Sequence, residues 1–90
     1  MSSKCDLPLH GLTVVIDTAG PRVYIGRFDQ EDAAGILLHD ADVRDLESIE
    51  AKEPYVQRSA KYGVFKNTDR VKVPRAEVVS VRRLSEIEVE

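Results

Sequence analysis

Between Gly26 and Ala41 the chain concentrates the side chains best suited to chemistry: Asp29-Gln30-Glu31-Asp32, then His39 and Asp40, with Asp42 just beyond. Paired carboxylates such as Glu31 with Asp32, or Asp40 with Asp42, can divide acid and base roles or hold a divalent cation. Each use has a further requirement. A calcium loop of EF-hand type spaces its oxygen ligands and closes on a later glutamate, and Asp29–Asp32 has neither feature. His10 and His39 lie in different segments, without the HxxxH or HxH spacing that puts two metal ligands on one face. His39, where an apolar run turns polar, is expected to be exposed or hydrogen-bonded. Cys5 is the only cysteine, so neither an intrachain disulfide nor a thiolate zinc cage can form. No GxSxG, P-loop or dinucleotide glycine pattern occurs, and the stretch from Gly20 to Gly26 reads as a strand. The expectation is a non-catalytic chain with no metal, no cofactor and no small-molecule substrate. The acids are then either a ligand site or the solvated bend between two strands.

Charge is distributed unevenly. The formal net charge of −3 gives no general attraction to nucleic acid. From Asp29 to Glu53 there are nine acids against Arg44 and Lys52, and from Arg58 to Arg83 eight bases against Asp69 and Glu77. Such polarity fits solvated faces of opposite sign, contacts between unlike edges of neighbouring subunits, or a local basic surface facing an anion. No run approaches the roughly 18 apolar residues of a membrane span. The start, Met-Ser-Ser-Lys-Cys-Asp, lacks the apolar core of a signal peptide. Together with the single cysteine, this gives a cytoplasmic expectation.

The elements that must position these residues are short and β-branched. At ninety residues, 42% hydrophobic and 32% charged, the chain makes one small globular domain. Residues 1–10 are expected to form a loose arm. Leu12 to Asp17 reads as a first strand with Leu12, Val14 and Ile16 on one face, closed by the turn at 18–21. Val23 to Phe28 reads as a second, with Tyr24, Gly26 and Phe28 opposite Val23 and Ile25. Gly26 within it marks a bend. Gly35 to Val43 is the third. The segment 44–68 is long and variable. Leu46 and Ile49 allow a short helix within 44–60, Pro54 is expected to end any helix, and Tyr55-Val56 with Tyr62 to Phe65 allow a long hairpin instead. The arm also allows a short helix. Asn67 to Arg70 reads as a turn. Val71 to Pro74 and Val78 to Leu84 are the fourth and fifth strands, and 85–90 is a tail that either adds an edge strand or frays. Five short strands with tight turns point to a small all-β barrel over residues 11–84.

In their order, these pieces resemble the Sm and Sm-like family of strongly bent, five-stranded barrels of SH3 type, whose subunits assemble into rings that often bind RNA. The resemblance rests on Gly20, Arg22-Val23-Tyr24, Gly26 and Phe28, then Ile36-Leu37-Leu38 with Asp40-Ala41-Asp42, and finally the stretch from Val71 to Val81. It covers roughly residues 11–43 and 69–84. It implies a homo-oligomeric ring joined by strand-edge pairing and a single-stranded RNA site at Asp32, Gly35 and Arg75, with Asp32 supporting the loop and Arg75 facing RNA. Several positions depart from the pattern. The family's base-reading Asn falls at Gly35, its Arg-Gly pair at Arg75-Ala76, and the Lys-His pair of the bacterial RNA chaperones at Pro74-Arg75. Glycine has no side chain to hydrogen-bond a base edge. The bend offers no aromatic for stacking, which leaves Tyr24 or Tyr62 for that role. Arg75 also has a plainer explanation, as a turn residue or an ion-pair partner between subunits. The expected function is thus a ring-forming, RNA-binding protein, with a structural or protein-interaction module that has lost the base pocket as the alternative.

Overall fold

The computed structural model describes residues 11–87. The expected arm at 1–10, with Cys5 and His10, lies outside the described residues, as do positions 88–90 of the tail. Five antiparallel strands form one open sheet: β1 (Thr13–Asp17), β2 (Arg22–Asp32), β3 (Gly35–Asp45), β4 (Thr68–Pro74) and β5 (Ser80–Arg83). Their order is β4-β3-β2-β1-β5, so the last two strands of the chain lie at opposite edges. One helix, α1 (Lys52–Tyr62), enters between β3 and β4.

The apolar run Val14-Val15-Ile16 needs cover on both faces, and receives it. Val14 and Ile16 join Tyr24, Phe28, Ile36, Leu38 and Val73 in one buried cluster. Val15, Val23 and Ile25 form a second cluster on the other face with Val56 of α1. A strand buried on both sides reads as a continuous apolar run rather than an alternation. Val71 of one edge strand and Val81 of the other both pack on the first cluster, so the sheet curls around that core. Leu12 falls outside β1 and is exposed, because the strand begins only at Thr13.

Curvature is concentrated in β2 and β3. Between the pairs Ile25↔Asp42 and Arg27↔His39, β3 carries an extra residue; between Phe28↔Leu38 and Gln30↔Leu37 the extra residue belongs to β2. Two opposed bulges bend the ribbon and restore the register. Asp40, in the first, takes the left-handed conformation with φ 52°. Across from it, a Cβ on Gly26 would come within 2.9 Å of the Ala41 Cβ, so only glycine permits that approach. The second bulge lets β2 run on to Asp32, past the acids expected to form a bend. The connection to β3 is just Ala33-Ala34.

The 44–68 segment differs most from expectation. Leu46 to Ser48 is irregular, Ile49–Ala51 is a 3-10 turn, and the helix follows. Pro54 does not end it. Pro54 occupies the first turn, where a backbone N–H has no helical acceptor to lose. The hairpin over Tyr55 to Phe65 does not form, because Val56 and Ser59 give the helix a narrow face that packs on the sheet. Gly63, at φ 106°, ends the helix. The expected turn at 67–70 is mostly strand: the Asn67 amide accepts from the Val43 N–H and donates to the Val43 carbonyl, both at 3.1 Å, standing in for a ladder pair and starting β4 early. β5 is shorter than expected, and Leu84–Glu86 is a 3-10 turn rather than strand.

Candidate functional site

Asp32, Gly35 and Arg75 meet at one tip, where the β2–β3 turn touches the start of the β4–β5 connection. Asp32 Oδ1 accepts from the N–H groups of Ala34 at 2.9 Å and Gly35 at 3.1 Å, closing the two-residue turn. Its Oδ2 lies 2.8 Å from Lys72 Nζ. The Lys72 bond and then the Ala34 N–H hold the Asp32 carboxyl below the usual carboxylate range. Gly35 pairs with Pro74 across the β3–β4 ladder.

Arg75 begins the 3-10 turn Arg75–Glu77 that links β4 to β5. Its backbone N–H donates to the Ala34 carbonyl at 2.9 Å. Its guanidinium donates through Nη2 to the Asp32 carbonyl at 2.6 Å, and Nη1 lies 2.7 Å from Glu31 Oε2. The arginine therefore clasps two turns together. Glu31 and Lys72 complete the tip, and with Asp32 and Arg75 they balance two acids against two bases. In the sequence Glu31 stands out only as a carboxylate beside Asp32, and Lys72 not at all; only the strand register brings Glu31 to Arg75 and Lys72 to Asp32.

No family model matches the chain. No curated protein matches it either. The chemistry of the tip must therefore be read from its own residues. Both of its cations are engaged, and Gly35 contributes no side chain. Tyr24 cannot serve as a stacking platform, since it is buried, with its hydroxyl donating to Glu77 Oε1 at 2.8 Å. Tyr62 is exposed, but it stands on α1.

The remaining chemical side chains are structural in their contacts. His39 Nε2 and Asp29 Oδ2 lie 2.8 Å apart, and Arg27, the cross-strand partner of His39, bonds Asp40. Asp42 is fully buried: it accepts from the Tyr55 hydroxyl and from Asn67 Nδ2, and its Oδ1 is 3.3 Å from Arg44 Nη2. Burial first, and the Asp42 bond second, push the Tyr55 phenol up from its ordinary pKa. Lys52 is also buried, donating to the carbonyls of Thr18 and Gly20 at the β1–β2 turn. Among the described residues no group of three His, Cys, Asp or Glu side chains could hold a metal ion. No helix among them is long and apolar enough to cross a membrane.

Proposed function

We propose that this chain is a non-catalytic, self-assembling module: a bent barrel of Sm-like type whose copies close into a ring by pairing β4 of one with β5 of the next. The carrying observation is the strand order. β4 and β5 are joined by one short turn yet lie at opposite edges of the sheet, and among the described residues nothing pairs with the outer edge of either. An open edge invites another strand, and closed rotational symmetry satisfies every edge in turn. Light scattering across the micromolar range tests this: a closed oligomer of fixed mass is expected, and a monomer at every concentration rejects the reading.

A second reading, contact with single-stranded RNA, is favoured by the meeting of Asp32, Gly35 and Arg75 at one tip. Phosphate would have to compete there with Glu31 for Arg75. Assembly is therefore the primary function, and RNA contact is secondary to it. Labelled oligo(U) and oligo(A) decide the matter. Binding that falls as salt rises, is lost with Arg75→Ala and strengthens with Glu31→Gln supports RNA contact, because phosphate binding releases counterions. Absence of salt-sensitive binding at low salt leaves the assembly module alone.

A further inference from the structure

Among the described residues only two aromatic rings stand in solvent, Tyr62 with 68% of its surface exposed and Phe65 with 65%. Tyr62 ends α1, and Phe65 lies in the link to β4. Their setting is fixed. Val64, between them, packs on the second core cluster, and Lys66, just after, is ion-paired to Asp40 and Asp69. The link is thus pinned on both sides of Phe65 while the ring itself stays exposed.

The two rings have cations around them. From Arg58 to Lys66 the chain carries three bases and no acid. Arg58, one turn before Tyr62, shares its face of the helix. It is exposed, and among the described residues it has neither an ion pair nor a hydrogen bond. The Lys61 ammonium stands 5.5 Å from the centre of the Tyr62 ring. The one acid of α1, Glu53, is engaged by Arg82 of β5.

We propose that the last turn of α1 and the link to β4 form a docking surface for single-stranded RNA. Tyr62 and Phe65 stack on unpaired bases, and Arg58 and Lys61 meet the backbone phosphates. The surface shares no residue with the tip at Arg75, and the proposal depends neither on that tip nor on assembly.

Chemistry selects the occupant. Rings interleaved with cations suit a strand that offers flat bases and phosphate charge together. A base inside a duplex is already stacked, so only an unpaired one can lie on a side-chain ring. A helix that lies on a membrane turns its apolar face outward, whereas α1 turns Val56 to the sheet. An acidic protein surface would satisfy the cations and leave both rings in water. Because the link is pinned, little freedom is lost when the rings are covered.

A reporter at the surface itself tests this. Tyr62→Trp supplies one, since the chain has no tryptophan of its own. Oligo(U) or oligo(A) RNA is expected to quench its fluorescence at low salt, less so as salt rises. Phe65→Leu and Arg58→Ala in that background should each weaken the titration about five-fold or more. Both side chains are exposed, so the urea midpoint should not move. Arg75→Ala should leave the quenching in place, and duplex RNA of the same length should quench far less. Labelled oligonucleotide that binds without quenching the reporter, or quenching that disappears with Arg75→Ala, overturns this surface and leaves RNA contact at the tip standing. No binding of either oligonucleotide at low salt removes both. Equal quenching by duplex and single strand overturns the proposal by reducing it to a general attraction for phosphate. A reporter that responds to vesicles of anionic phospholipid and to no oligonucleotide also overturns it, and assigns the surface to a membrane.

Discussion

A Cβ placed on Gly35 would stand 2.0 Å from the carbonyl oxygen of Val73, and the backbone there already has φ 155°. The obstacle is main chain in a paired strand, which cannot swing aside as a flexible side chain could. The position is therefore glycine because β4 passes against it, and an Asn side chain has no room in this backbone. Gly35→Asn is expected to lose at least about 2–3 kcal/mol of stability, as overpacking against rigid structure does. Gly20→Ala, where a Cβ meets nothing within 4 Å, should change stability by no more than about 0.5 kcal/mol. Urea midpoints of the two variants provide the comparison. Equal midpoints would show that β4 can move away from Gly35.

The Arg75 clasp makes a second prediction. Its ion pair with Glu31 is part-exposed, so solvent screens it, and a double-mutant cycle of Arg75→Ala and Glu31→Gln should give a coupling of about 0.5–1 kcal/mol. Arg75→Ala alone should cost more than that coupling, because the bond to the Asp32 carbonyl is lost as well. Arg75→Lys should recover only part of the loss, since an ammonium cannot reproduce a planar fork that reaches a carboxylate and a carbonyl together. A coupling of zero would mean that the two side chains meet only incidentally.

The strand content was legible in the residues wherever burial decides their type. Val14-Val15-Ile16 and Val23 with Ile25 reveal their strands because both faces of the sheet are covered there, and Ile36 with Leu38 because they alternate into the first core. Tyr24, Gly26 and Phe28 fell on the expected side. The middle of the chain was not legible in the same way. Pro54 signals a break unless the helix start is known, and that start is set by tertiary packing of Val56 on Val15, Val23 and Ile25. Asn67 has the composition of a turn, yet its amide makes the contacts of a strand. At the tip, Asp32, Gly35 and Arg75 could be named from sequence, but their partners could not. Glu31 and Lys72 reach them only through the pairing of β2 with β3 and of β3 with β4, and no local pattern encodes that pairing.

Stability should fall on acidification, with a sign that follows from three carboxylates. Lys72 holds the Asp32 carboxyl low, Arg27 and Lys66 do the same for Asp40, and Arg22 for Asp45. In the unfolded chain these groups titrate near pH 3.9, at roughly the model-peptide value. Below about pH 5 the unfolded state takes up more protons than the folded one, so the stability they supply is complete above the unfolded pKa. It is lost as pH falls through the folded values. Asp32→Asn should lower the urea midpoint at pH 7 and make the decline between pH 5 and pH 3 shallower. Added salt should reduce the difference, since the ion pairs of all three carboxylates are exposed. Parallel declines for the variant and the wild type would assign the acid sensitivity to other groups.

Asp42 makes the opposite kind of prediction, because its carboxylate has no solvent to fall back on. It is fully buried, with Tyr55, Asn67 and Arg44 gathered around it, and the Arg44 guanidinium also lies 5.4 Å from the centre of the Tyr55 ring. These contacts fasten α1 and the start of β4 to the middle of β3. Tyr55→Phe keeps the ring and removes one donor, leaving a buried acceptor short of a partner at a cost of about 1–3 kcal/mol. Asp42→Ala removes the acceptor of the Tyr55 hydroxyl and one of the two acceptors of Asn67 Nδ2, so it should cost more than Tyr55→Phe. Arg44 is part-exposed and can turn to water, which keeps the loss below that of a wholly buried ion pair. Amide hydrogen exchange separates this role from general loosening: both variants should expose α1 and the first residues of β4 while β1 and β2 stay protected. Uniform loss of protection through β1 and β2 would mean instead that the cluster supports the whole sheet, and that α1 is no separate unit resting on it.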